Sequence, residues 1–377
     1  MLSPGCSKFF LAIIAIAFFS CSSVFAVEPP GIDAPRRRQI PPYPPPDPAI
    51  YKHAAVLKSN YGGIGIGSFW IFEPAEPKPK KAPVVAFIPG YSVENPINYG
   101  AWFDHLVKQG NVVLFISYME TARTRFTDLT DNAFSSLQKA IEEVKNGYAA
   151  DGSQHVEPDF DRFSIAGHST GAIIAANLAA RNQMAGLPQP KVIFAADPGR
   201  TALIPGQGLN GGLMRIEDLS QLPADTLLLS VYGDKDRYYG MRGQDAVLLL
   251  MAASSLPPEN RLLYFLQSIG LKGERATHFY PSAPNEDYDN GQAAGLNLVP
   301  QLPRLSRAIN TFTTRAQAQL ILDSLDYELW RLFDEARAVR FDDATWSMPV
   351  IPFNEIDTSK IFVRSENQRQ NSIKVNQ

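Results

Sequence analysis

The chain has 377 residues, with 35 Lys and Arg against 38 Asp and Glu, a formal charge of −3. That length allows one large α/β domain or two ordinary ones. Hydrophobic residues at 45% with 19% charged are enough for a sizeable core and exclude wholesale disorder. A near-neutral balance without an extended basic patch argues against nucleic acid as the main partner, because phosphate binding takes clustered Lys and Arg.

Both cysteines, Cys6 and Cys21, lie near the N-terminus, so the body of the chain has no disulfide, no Cys metal site and no Cys nucleophile. Lys8 precedes an apolar run, Phe9 to Phe19, too short to span a bilayer as a helix but suited to a signal peptide. Val24 and Ala26 place small residues before a cut after Ala26, so residues 1–26 read as an export signal, and lipid anchoring at Cys21 is the weaker reading. Later segments carry no apolar run long enough to span a membrane, which predicts a secreted or periplasmic protein with no stable membrane span. Residues 27–50 form a proline-rich leader around Arg36-Arg37-Arg38; proline removes donors and fixes φ, which favours an extended, solvated segment.

A domain is predicted over residues 51–300. Strands are expected at Phe69–Phe72, Val84–Ile88, Val112–Ser117, Arg162–Ala166, Val192–Ala196, Thr226–Tyr232 and Arg261–Leu266. Continuous apolar runs such as Val84-Val85-Ala86-Phe87-Ile88 indicate strands covered on both faces. Helices are expected at Trp102–Gln109, Asn132–Lys145, Gly171–Arg181 and Asp245–Ala253. The second of these carries an apolar stripe of Phe134, Leu137, Ile141 and Val144 and stops at Gly147. Strands alternating with helices predict a mostly parallel central sheet with helices on both faces, its functional groups at the carboxyl ends of the strands. Residues 198–224, glycine-rich with Leu203, Ile204, Leu209, Leu213 and Met214, suggest a lid or pocket wall. A C-terminal helical extension is expected over 301–357, with Leu322, Leu325, Leu329 and Leu332 at helical spacing, and a polar tail over 358–377.

The chemistry centres on Gly167-His168-Ser169-Thr170-Gly171, between a predicted strand and a predicted helix. Gly-x-Ser-x-Gly in that setting is the signature of a strained strand-to-helix turn that lifts a serine hydroxyl out of the sheet. The bland alternative makes Ser169 an ordinary helix cap. The Thr170 amide, at the helix N-terminus, can donate to a developing oxyanion, and the Tyr91 amide in Pro89-Gly90-Tyr91 is the second donor expected. Tyr91, Trp102 and His168 are placed around the substrate pocket. Serine needs a base, and of five histidines only His278 follows Ser169 in the chain. The acid is Asp236, in Gly233-Asp234-Lys235-Asp236, or Asp197, in Ala196-Asp197-Pro198; either follows a strand adjacent to the other, and Asp236 is the first choice, with Asp234 third.

These motifs resemble those of secreted α/β-hydrolases of the dienelactone hydrolase, chlorophyllase and cutinase-like polyester hydrolase group, from about Phe69 to Pro281. Pro89-Gly90-Tyr91 is similar to the polyester hydrolases, whereas Ala196-Asp197-Pro198 is similar to the chlorophyllase-like branch, in which an Asp-Pro carries the acid. The chain lacks the polyester hydrolases' C-terminal cysteines and carries extra segments at Pro198–Ala224 and after Pro281. The resemblance implies an α/β-hydrolase fold and cleavage of small-molecule or lipid-like carboxylic esters through an acyl-enzyme on Ser169, with no metal or organic cofactor. The competing readings are a non-catalytic binding protein on the same fold and an acyltransferase or amidase using the same residues.

Overall fold

The computed structural model describes residues 43–356 except 64, 92, 121–123, 201–212, 237–242, 269–275, 290–321 and 323. The predicted signal, most of the proline-rich leader, the polar tail and the middle of the 198–224 segment lie outside the described residues.

A nine-stranded sheet organises the described residues: β1 (Ala55–Tyr61), β2 (Phe69–Ala75), β3 (Lys81–Ile88), β4 (Val112–Ile116), β5 (Glu157–His168), β6 (Val192–Ala196), β7 (Leu227–Gly233), β8 (Arg261–Leu266) and β9 (Ile351–Pro352). Their order across the sheet is β1-β2-β4-β3-β5-β6-β7-β8-β9. The six strands from β4 to β8 are parallel, while β1 pairs antiparallel with β2, β2 with β4, and β9 with β8 at the other edge. Every residue of β4 and β6 is buried, as unbroken apolar runs require when helices cover both faces. β1 is absent from the sequence reading because, at the sheet edge, its residues are mostly half-buried and show no alternation.

The helices are α1 (Gly100–Lys108), α2 (Leu129–Asn146), α3 (Thr170–Ala185), α4 (Gln244–Ala252) and α5 (Ser324–Phe341). One core combines Phe87, Phe115, Phe194 and Leu229 of the strands with Trp102, Phe103 and Leu106 of α1 and Leu329, Trp330 and Phe333 of α5. Successive strand residues point to opposite faces, so the alternating set, such as Ala86, Leu114 and Ile193, turns towards the other side, where α2 and α3 pack on each other.

The helix expected within a separate extension is an integral part of this core. Phe333 meets Phe194 at 4.9 Å and Trp102 at 5.8 Å between ring centroids, and β9 then adds a strand beside β8. Polar contacts fix the docking: His105 of α1 bonds Asp334 at 2.9 Å and stacks on Trp330 at 4.9 Å. Buried Arg337 bonds Asn111, and Tyr264 of β8 donates to Glu328. Leu325, Leu329 and Leu332 are buried as the helical spacing predicts.

Candidate active site

The turn between β5 and α3 has the strained form that its glycines permit. Ser169 has φ 56° and ψ −124°, a conformation that costs a non-glycine residue on the order of 1–3 kcal/mol. The flanking glycines are required by close approach of backbone. A Cβ on Gly167 would stand 2.2 Å from the Gly171 carbonyl oxygen, and one on Gly171 would stand 2.2 Å from the carbonyl oxygens of both Ile88 and Pro89. Although Ser169 occupies the cap position of α3, its side chain makes no capping hydrogen bond. Its hydroxyl instead meets His278 Nε2 at 2.8 Å, which removes the ordinary-cap reading.

His278 bonds Asp236 Oδ2 through Nδ1 at 3.0 Å. A carboxylate only accepts, so Nδ1 carries the ring proton and Nε2 is left to accept from the Ser169 hydroxyl. All three side chains are mostly shielded from water. The turn after β7 presents Asp236: its amide donates to the Gly233 carbonyl at 3.1 Å, and the Lys235 amide donates to Ala276. Gly233 lies so close to the segment before His278 that a Cβ there would stand 2.2 Å from the Ala276 carbonyl oxygen. The structure therefore brings Ser169, His278 and Asp236 together.

Asp197 does not meet His278. It is fully buried, at φ 42°, and its Oδ1 accepts from the Gly233 amide at 2.9 Å. It thus anchors the start of the turn that carries Asp236. Its carboxyl also interacts with Asp236 and Tyr280, and burial, reinforced by the Asp236 carboxylate, pushes it well above the usual range. Asp234 also has a local task, accepting from the amide and hydroxyl of Ser268.

Thr170 is the first residue of α3, so its amide belongs to the unpaired donors at a helix N-terminus. The loop before Tyr91 abuts the elbow: a Cβ on Gly90 would stand 3.6 Å from Ser169 Cβ. The Tyr91 ring stacks on Phe126 at 5.2 Å, and burial raises its phenol to about 12. Two expected pocket residues stand elsewhere. Trp102 is 1% exposed in the core, edge-on to Phe87 and Phe194, because it lies on the side of α1 that faces the sheet. His168 is also buried; its ring lies beneath the elbow, bonded to Tyr99 and to the His278 carbonyl, since the residue before Ser169 ends β5 and points into the protein. His53, His105 and His155 take part in packing contacts away from Ser169.

Two neighbours of the site were not legible in the sequence. Tyr99 bonds His168. Gly199 donates its amide to the Ser169 carbonyl at 3.1 Å, and a Cβ there would stand 3.2 Å from Ser169 Oγ and 3.8 Å from His278 Cε1. Asp-Pro-Gly at 197–199 signals a turn and nothing about what the turn faces. Of the 198–224 segment, Arg200 and Met214 are joined by a 2.7 Å backbone bond, and Arg215 and Glu217 bond Asn177 of α3; the apolar residues between, Leu203, Ile204 and Leu209, lie outside the described residues.

A family profile described as "alpha/beta hydrolase fold" matches residues 89–212, the span that holds the Tyr91 loop, the elbow and Asp197. Among solved structures, a thermostable esterase from Pseudomonas putida is 18% identical, covering 73% of this chain and 87% of its own at a TM-score of 0.42. Carboxyl esterase 2 from the mycorrhizal fungus Tuber melanosporum is 15% identical, covering 84% of this chain and 99% of its own at a TM-score of 0.43. Curated proteins offer no match to the sequence. The parallel strands β4 to β8 in the order given, helices on both faces, and a serine on a glycine-flanked turn after β5 give this chain the α/β-hydrolase fold.

Proposed function

We propose that this chain is an exported serine hydrolase that cleaves carboxylic esters through an acyl-enzyme on Ser169. The observation that carries this reading is the chain of contacts from Ser169 Oγ to His278 Nε2 at 2.8 Å and from His278 Nδ1 to Asp236 at 3.0 Å. His278 takes the hydroxyl proton as Ser169 Oγ bonds to the ester carbonyl carbon, and the carbonyl electrons move onto oxygen. The Thr170 and Tyr91 amides donate to that oxyanion, and the positive end of α3 adds to its stabilisation. As the oxyanion collapses, the C–O bond breaks and His278 returns the proton to the departing alcohol. Water then repeats the sequence: His278 removes its proton, the hydroxide adds to the acyl carbon, and Ser169 leaves with the proton restored. Asp236 holds the ring in the tautomer that this requires and balances the imidazolium.

An ester is the least demanding acyl substrate for this arrangement, because an alcohol leaves a tetrahedral carbon more readily than an amine does. The Tyr91 and Phe126 stack, with Phe279 40% exposed and edge-on to the His278 ring at 5.7 Å, supplies apolar surface suited to a small or lipid-like ester. Export rests on residues 1–26 and is tested by sequencing the N-terminus of the protein recovered outside the cytoplasm. The activity is tested with a fluorophosphonate and a short p-nitrophenyl ester. Wild-type protein is labelled covalently at Ser169 and turns over the ester, while Ser169→Ala does neither and melts as the wild type does; turnover retained in Ser169→Ala removes the assignment.

A further inference from the structure

Gly90, Tyr99, His168 and His278 come from four separate stretches of chain and are joined by one run of hydrogen bonds beneath Ser169. The His278 carbonyl oxygen only accepts, so His168 Nε2, 2.7 Å away, carries the ring proton. Burial, reinforced by the neighbouring His278, lowers the His168 pKa to about 3 and keeps the ring neutral. Its Nδ1 is therefore an acceptor, and the Tyr99 hydroxyl at 2.9 Å donates to it. The Tyr99 oxygen in turn accepts from the Gly90 amide at 3.0 Å. The direction of every bond is fixed, and both side chains are buried.

The packing around this run is close. A Cβ on Gly90 would stand 3.2 Å from His168 Nδ1 and 3.4 Å from the Tyr99 hydroxyl oxygen. The same loop is tied a second time, since Tyr118 donates to the Pro89 carbonyl at 2.9 Å. A buried polar chain costs desolvation that apolar side chains of the same size would not, and its return is a fixed geometry for the groups at its ends. Here one end is the amide that precedes Tyr91, and the other is the backbone of His278.

We propose that Tyr99 and His168 are positioning residues that strap the Tyr91 loop to the His278 loop, holding the oxyanion donor and the base in place on either side of Ser169. The proposal rests on the reading of Ser169 as the nucleophile. An oxyanion donor acts after the carbonyl carbon has become tetrahedral, so loosening it lowers kcat and leaves KM nearly unchanged.

The test uses Tyr99→Phe, His168→Gln and the double variant, with kcat and KM for p-nitrophenyl acetate, the rate of fluorophosphonate labelling and the melting temperature of each. Tyr99→Phe removes the central oxygen. His168→Gln keeps a donor for the His278 carbonyl and leaves no acceptor at the Nδ1 position that Tyr99 meets, so both changes cut the same link. Each single variant is expected to lose about tenfold in kcat, with KM within about twofold of wild type. The double variant is expected to lose no more than the larger single loss, because members of one chain are not additive. Folded single variants whose kcat stays within about twofold of wild type, or losses that add fully in the double variant, overturn the strap. Tyr99→Phe carries the test by itself if His168→Gln does not fold, and failure of both to fold overturns the proposal by making the pair a stability element alone. Absence of labelling in the wild-type protein defeats the reading of Ser169, and the strap with it, whereas labelling with unchanged kcat in Tyr99→Phe defeats the strap only.

Discussion

Replacing Asp236 and Asp197 separately by asparagine distinguishes the two carboxyls that flank the carboxyl end of β7. In the proposed mechanism His278 becomes a cation when it takes the Ser169 proton, 3.0 Å from Asp236, with only 8% and 12% of the two side chains exposed. Two opposite charges about 4 Å apart at an effective dielectric of about 20 attract by roughly 4 kcal/mol, which corresponds to about a thousandfold in rate. Asparagine removes that charge and can turn its amide group towards Nδ1, which favours the wrong tautomer; serine proteases lose about ten-thousandfold by this change. Asp236→Asn is therefore expected to lower kcat by about a thousandfold to ten-thousandfold, with KM within about threefold of wild type. Burial and the Asp236 charge raise the Asp197 pKa well above the usual carboxylate value, which favours its neutral form. Asparagine keeps an oxygen for the Gly233 amide and nearly the same shape, so Asp197→Asn is expected to stay within about threefold in kcat. Steady-state hydrolysis of a p-nitrophenyl ester, corrected for active sites by fluorophosphonate titration, reads both. A larger loss in Asp197→Asn than in Asp236→Asn overturns the reasoning.

Gly199→Val places a branched side chain where a Cβ already stands 3.2 Å from Ser169 Oγ. Hydrolysis of esters branched beside the carbonyl should fall at least about tenfold further than that of acetate, with little change in melting temperature; equal losses on both ester types refute the placement. Glu94 provides a test of stability against pH. Burial raises its carboxyl to about 8, and hydrogen bonds from Ser117 and from the Tyr118 and Met119 amides offset only part of that rise. Because the folded pKa lies above the unfolded one, the contribution of Glu94 to stability is complete below about pH 4 and is lost as pH rises through about 8. Glu94→Gln removes that dependence, so its melting temperature should gain on wild type between about pH 4 and pH 9, as followed by thermal melts across the range; parallel curves contradict the burial argument.

The strands at Val84–Ile88, Val112–Ile116 and Val192–Ala196 were readable because chain segments buried on both faces must be apolar throughout. The elbow was readable because only glycine tolerates backbone oxygens 2.2 Å from a Cβ position. His278 followed from chain order, which leaves one histidine after Ser169. Trp102 and His168 stand outside the expected pocket for a common reason: nearness along the chain to Tyr91 or to Ser169 says nothing of which way a side chain faces, which is a property of the assembled sheet. The helix at Ser324–Phe341 was legible as a helix, but its docking on Phe194 and Trp102 depends on residues more than a hundred positions away.

Local sequence thus determined the glycine-flanked turn at Ser169 and the alternation of strands and helices, since each depends on sterics or burial over a few neighbouring residues, while chain order singled out His278. The choice of Asp236 over Asp197 belonged to the tertiary structure. Both aspartates follow strands of the same sheet, and only the packing of the β7 turn against the His278 segment decides which carboxyl reaches Nδ1 and which is buried against the Gly233 amide. The bonds from Gly90 through Tyr99 and His168 to His278 were decided in the same way, because hydrogen bonding of buried groups is settled by which stretches of chain the fold brings within 3 Å.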